Sequence, residues 1–474
     1  MQRIRIAVAL LVAVLPAACV VGPQYSHPDI DAGTGWAEPS AESAAPQDEP
    51  VDIERWWTSF DDPTLTRLIE TALAQNLDVR EAGARVAEAR ALRDAAAGRR
   101  QPVVEASAGV TRLRQSENGP LPINQIPGIE RDQTIYEPGF DAVWEIDAFG
   151  GSRRAVEAAD ARVEAALERA RGAQFRVAAE TARAYLEMRG VQHELAARQS
   201  SVTASQASAD LVRRQLDFGE VPEAAVAQAD AELAALQAEL PLLEARLRAA
   251  ALSIGILLGD LPESELGLLE GRTDYAALAP LPVGERADLL RRRPDVRAAE
   301  RALAAATADV GTATAELFPK IGIGGGGGFQ SLNSGNLFES ASERFAIAPL
   351  ISWRIFDGGR VRAQIRASEA RVEAAALGYE KAVKEALTDA ELALTRYNFG
   401  LAALDRQSAA VAAAQRSHDF AAERYDAGDI SLLELLDAER VLRRAEDAYA
   451  RMHTQAATHL VALFKALGGG WGSG

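Results

Sequence analysis

The chain repeats itself. The segment LDVREAGARVAEARA beginning at Leu77 returns as PDVRAAERALAAATA at Pro294, an offset of 217 that still holds where Pro102 meets Pro319. Farther along the offset is 209. Trp144 maps onto Trp353, Gly150 onto Gly359, the hexapeptide ARVEAA at 161–166 onto 370–375, Asp217 and Gly219 onto Asp426 and Gly428, and Leu258-Gly259 onto Leu467-Gly468. The offset changes once, between Pro102 and Trp144, where the first copy carries a loop about eight residues longer. Such self-similarity means one structural unit built twice, here over roughly 78–259 and 295–468.

Each copy reads helix, hairpin, very long helix, turn, helix. Residues 78–98 are rich in Ala, Arg and Glu, all strong helix formers, and Pro102 stops the pattern. Strands are expected over 103–113 and 134–146, around a loop holding Asn118-Gly119-Pro120 and Pro127-Gly128, and again over 320–330 and 343–356. Tyr136, Phe140, Ala142 and Trp144 alternate with Glu137 and Asp141, and Phe345, Ile347, Pro349, Ile351 and Trp353 repeat the apolar face. Aromatics near strand ends fit an interfacial girdle. Then follow 66 helical residues, Ser152 to Asp217, spanning ~100 Å at 1.5 Å per residue. Their counterpart runs from Arg360 to Tyr425, and neither contains proline. The returning helices, 222–257 and 432–466, are shorter, so two short helices end to end match one long one.

Four strands per chain cannot close a membrane barrel, which needs at least eight. An open edge in lipid leaves backbone groups unpaired at a cost of several kcal/mol each. Closure therefore demands further copies, and two, three or four protomers would give 8, 12 or 16 strands. Helices of this length likewise require equally long neighbours, as in a bundle or ring.

The ends carry targeting signals. Arg3 and Arg5, an apolar run from Ile6 to Leu15 and small residues Ala17 and Ala18 read as a secretion signal over 1–18. No other stretch is long and apolar enough for a membrane helix. Cys19, the single cysteine, follows Pro16-Ala17-Ala18 as in a bacterial lipobox, although Pro16 stands where leucine is usual. A covalent lipid on Cys19 is expected. Loss of the signal removes two arginines and takes the formal net charge from -17 to -19, a surface that repels nucleic acid.

The chain resembles the outer-membrane factor family of TolC-type ducts, and within it the NodT-type efflux lipoproteins. The resemblance rests, in order, on CVVGPQY (19–25), Trp56-Trp57, FDDPTLTRLIETALAQN (60–76), WEIDAFG (144–150), LLRRRPDVRAAE (289–300), LFPKIG (317–322), IFDGGR (355–360), SLLELLDAER (431–440) and ALGGGW (466–471). It implies a mainly α fold with a transmembrane β-barrel portion: a homotrimer with a 12-stranded barrel, a 12-helix α-barrel tunnel and an equatorial domain. The corresponding segments are 1–18 signal, 19–60 anchored N-terminal part, 61–259 first repeat with hairpin 103–146, 260–290 equatorial connector, 291–468 second repeat with hairpin 320–356, and 469–474 tail. Implied partners are outer-membrane lipid, a periplasmic adaptor (membrane fusion protein) and an inner-membrane transporter of the resistance-nodulation-division type.

The periplasmic mouth is expected at the helix–turn–helix tips, near Gly219, Glu220 and Val221 and near Gly428, Asp429 and Ile430, which are also the expected adaptor contacts. Glycine permits the reversal, and Pro222 suits a helix start. Glu434 and Asp437, three apart on one helix face, are the expected carboxylates of the aperture, with Tyr425 at the end of the long helix. Such charge would draw cations and slow anions. A plainer role competes for Glu434, since Ser431-Leu-Leu-Glu434 is a capping box. The first copy has Ala225 there, so the two tips are not equivalent.

Signs of an enzyme are poor. The five histidines are scattered, and His453 and His459 are six apart, the wrong spacing for a helical metal pair. The run Gly324–Gly328 lacks the Gly-Lys-Ser/Thr of a phosphate loop. The alternative to a duct is a lipid-anchored periplasmic adaptor or coiled-coil scaffold.

Overall fold

The computed structural model describes residues 20–29, 33, 35–37, 55–117, 128, 130–271, 274–281, 283 and 285–468. The signal segment, Cys19, hairpin-loop residues 118–127 and the tail 469–474 lie outside the described residues. The helices are α1 (Pro63–Gln75), α2 (Leu77–Gly98), α3 (Gly151–Asp217), α4 (Glu223–Leu257), α5 (Arg286–Arg292), α6 (Pro294–Ala315), α7 (Arg360–Asp426) and α8 (Leu432–Ala466). The strands are β1 (Val103–Arg114), β2 (Asp132–Ile146), β3 (Lys320–Phe329) and β4 (Glu343–Ser352). The two long helices, α3 and α7, have 67 residues each. None of the described helices is long and apolar enough to cross a membrane.

Two compact units form, and each draws on both repeats. Of the described residues, one comprises those within 20–28, 87–165 and 299–378. Its four strands make an antiparallel sheet in the order β1-β2-β3-β4. Registers Val104↔Ala142, Trp144↔Ile323 and Ile323↔Pro349 carry one face across the sheet. That face holds Val104, Ala106, Ala108, Val110, Tyr136, Phe140, Trp144, Ile323, Phe345, Ile347 and Ile351, with Arg112, Thr134 and Glu343 at its hairpin end, so the apolar face expected of the returning strands crosses all four. The glycine run lies in β3. A Cβ at Gly327 would sit 3.3 Å from the Phe140 ring, so bulky neighbours occupy the space the glycines leave. β4 ends at Ser352, short of the expected 356, because β3 begins at Lys320 and offers nothing opposite the later residues.

The N-terminal segment is a strap on this unit. Val21 N–H donates to the Phe149 carbonyl (3.2 Å), and Arg154 donates to the Val21 and Gly22 carbonyls (3.3 and 3.4 Å). Gly22 passes so close to α6 that an added Cβ would come within 2.4 Å of Gly311 Cα; two side-chain-free residues make the crossing possible. Tyr25 Oη donates to Glu300 (2.8 Å), and Arg301 lies over the Tyr25 ring.

The other unit comprises the described residues within 29–86, 166–298 and 379–468 and holds the main hydrophobic core. Trp56 is fully buried and stacks on Phe464 at 5.2 Å. Asp62 caps α1 through Thr64 and Leu65 N–H and accepts from Tyr185 Oη (2.6 Å). The expected end-to-end meeting of short helices is mediated by Asn76. Its Oδ1 accepts from Asp78 N–H at the start of α2 (2.8 Å), and its Nδ2 donates to Leu257 O at the end of α4 (2.7 Å). In the second copy Arg293, at the equivalent position, donates to Ala466 O at the end of α8 (3.2 Å) and to Asp295. Each joint thus satisfies helix-end groups that have no intrahelical partner.

Candidate functional site

The tips of the α3–α4 and α7–α8 hairpins share one backbone device. Glu220 N–H donates to Gln215 O and Gly219 N–H to Leu216 O; Asp429 N–H donates to Arg424 O and Gly428 N–H to Tyr425 O. This is the Schellman pattern, with glycine in the left-handed region at φ +73° and +76°. Gly219, Glu220, Gly428 and Asp429 are exposed; Val221 and Ile430 are half-buried. Phe218, before the first glycine, is 80% exposed. Pro222 stands at the N-cap of α4, one place ahead of the first-turn position.

At the second tip the capping box is formed. Glu434 Oε2 accepts from Ser431 N–H (2.8 Å) and Ser431 Oγ (2.9 Å). Those bonds hold its carboxyl below the ordinary carboxylate range, so the exposed group stays ionised. Asp437 is exposed and pairs with Arg440 (3.0 Å), which also donates to Glu232 on α4 (3.1 Å). Tyr425 is half-buried, and its carbonyl is engaged in the cap. Two expected carboxylates therefore share one exposed helix stretch, each held by a neighbour.

Beyond the tip, α3, α4 and α8 enclose a charged groove of about 310 Å³. Arg198 on α3 reaches both Glu239 on α4 (3.0 Å) and Asp447 on α8 (2.9 Å). Arg440 was legible only as a cation three residues after Asp437, and Arg198 carries no local signal at all. A second cluster brings together histidines that look scattered in sequence. His193 stacks on Tyr275 (4.0 Å between ring centres), His453 tilts against the same ring (4.5 Å), and Tyr449 meets it edge-on. The buried His453 Nε2 donates to Ala276 O (3.0 Å), fastening the connector to α8. Burial pushes its pKa down, with the Ala276 carbonyl acting in the opposite sense. Among the described residues no group of three or more His, Cys, Asp or Glu could hold a metal ion.

A sheet with one apolar face and two unpaired edges, joined to paired long helices with reversed tips, defines a subunit of a membrane conduit. Comparison with known proteins agrees. The outer membrane efflux protein family matches residues 68–260 and 286–469, and the chain belongs to that family. It is 32% identical to the pyoverdine export outer membrane protein OpmQ of Pseudomonas putida, over 92% of both chains. It is 30% identical to the outer membrane protein OprJ of Pseudomonas aeruginosa, over 98% of this chain and 96% of that one. The solved outer-membrane channel OprN superposes with a TM-score of 0.85 at 38% identity, covering 96% of this chain and all of that one. The protein is an outer-membrane exit duct for efflux, with a predominantly helical tunnel fold carrying some β-sheet.

Proposed function

We propose that three copies assemble into one passive conduit, with twelve strands in the outer membrane and twelve helices below it, receiving small molecules from a periplasmic adaptor and a resistance-nodulation-division type transporter. The observation that carries the need for further copies is the pair of open edges, β1 and β4, on a sheet whose one face is apolar except at its hairpin end, where Arg112, Thr134 and Glu343 lie, and the number three is what the family resemblance implies. In lipid such edges require partners. The duct performs no chemistry of its own; the pump supplies the energy. Cys19 carries the lipid, the tips around Gly219, Glu220, Val221, Gly428, Asp429 and Ile430 meet the adaptor, and Glu434, Asp437 and Tyr425 border the aperture.

The test is direct. Protein extracted from outer membranes in mild detergent should have the mass of three chains and form pores in planar bilayers. A monomer that forms no pore and is released without detergent once Cys19 is replaced by serine would instead be the anchored scaffold.

A further inference from the structure

We infer that the seam between neighbouring copies pairs β4 of one with β1 of the next in a single register, Ile351 opposite Ala108 and Pro349 opposite Val110. The inference rests on the trimeric reading and adds to it the address of each residue at the joint.

The internal repeat supplies the register. Shifting β1 by 217 and β2 by 209 turns the pair Val103↔Val143 into Lys320↔Ser352, which is the pair observed between β3 and β4. The relation also holds for individual atoms. Trp144 Nε1 donates to Arg100 O (2.9 Å), and the shifted bond, Trp353 Nε1 to Leu317 O, is present at 3.0 Å. The first copy is therefore related to the second by one operation, obeyed along the whole hairpin.

The β2–β3 seam joins the back of the first copy to the front of the second. Carrying it forward once more moves β2 onto β4 and returns β3 to β1. Ala142↔Gly325 becomes Ile351↔Ala108, Phe140↔Gly327 becomes Pro349↔Val110, and Ile146↔Ile321 becomes Ile355↔Val104. Within one chain β1 and β4 are three strand spacings apart, roughly 14 Å. The partner must therefore be a second copy.

Three further observations agree. The register keeps Ile351, Pro349, Val104, Ala108 and Val110 on the apolar face, whereas a one-residue slip would turn one strand over. Ile351 and Ile355 are 74% and 84% exposed in the single chain, while Ile146, the first-copy equivalent of Ile355, is half-buried against β3. Ala161 packs with Ala304 and Ala305; of the shifted positions, Ala370 on α7 and Ala87 on α2 are exposed and again alanine, while the third is Glu88.

The test uses the full-length protein in outer membranes, carrying Ala108→Cys with Ile351→Cys and treated with a mild oxidant. Disulfides need Cα atoms within about 7 Å, so the pair cannot close within one chain. The expected result is a shift of the chain from its single-chain position to that of three linked chains on a non-reducing gel, reversed by thiol. The two single-cysteine variants, which also report any contribution from Cys19, should stay at the single-chain position. Ala106→Cys with Ile351→Cys, a two-residue slip, should link far less. A trimeric, pore-forming protein that links best in the slipped pair, or in neither, overturns the register while leaving the trimer standing. A protein that is neither trimeric nor pore-forming fails at the earlier reading.

Discussion

At the scale of single residues, the side chains that matter are those joining elements far apart in sequence. His453 lies against Tyr275 of the connector and, across it, His193 of α3. The charged groups nearby are already engaged: Glu194 with Arg246 (3.1 Å) and Glu446 with Arg443 (2.8 Å). Tyr275 itself is pushed up to about 12, burial being the main cause, and stays neutral. The folded state therefore holds His453 neutral, with its pKa below the ordinary 6.5, and the unfolded chain takes up the proton first. The stability this site contributes is complete above pH 6.5 and is lost as pH falls towards the lowered folded value, at about 1.4 kcal/mol per unit of separation. His453→Gln keeps an N–H donor for Ala276 O and removes the proton site. Its melting temperature should fall less on acidification than that of the unaltered protein, and parallel curves would remove His453 from the acid response. None of this was legible in the sequence, because three rings separated by 82 and 178 residues leave no local pattern.

At the scale of elements, far more was legible. Apolar alternation, proline placement and the two offsets put β1, α3, α4 and α8 within a residue or so of where they stand. The expected strand end at 356 failed for want of a partner opposite Trp353, which is tertiary information. The joints were also hidden. Asn76 reads as an ordinary helix cap, yet it also serves the end of α4 from 181 residues away. Asn76→Ala should cost ~1 kcal/mol for the lost cap and a further ~1–3 kcal/mol for the unpaired carbonyl of Leu257. Asn76→Asp retains the capping oxygen and should lose only the second part. Denaturant titration of both variants checks the split, and equal losses would refute the double role. The turns are simpler. Gly428→Ala places a Cβ in the left-handed region and should destabilise that tip by ~1–2 kcal/mol, read as faster local hydrogen exchange at 425–431.

At the scale of the whole molecule, the candidate aperture depends on copies meeting about an axis. Glu434 is bound by its own helix start, and Asp437 is bound to Arg440. Neither is free to move far without losing a partner. Their combined negative charge would favour cations at a narrow mouth. Glu434→Ala with Asp437→Ala should raise single-channel conductance or reduce cation preference in planar bilayers. Unchanged values of both would take these residues out of the gate. Ser431→Ala, which loosens Glu434 without removing its charge, separates the mechanical part of the effect from the electrostatic part.

The strap implies a timetable. Phe149 and Arg154 of the first copy hold part of it, but Gly311 and Glu300 lie nearly three hundred positions downstream, so the strap is fully seated only once the second copy has been synthesised and folded. Residues 20–25 are thus among the last pieces to be laid down. Only a finished protomer draws the slack in.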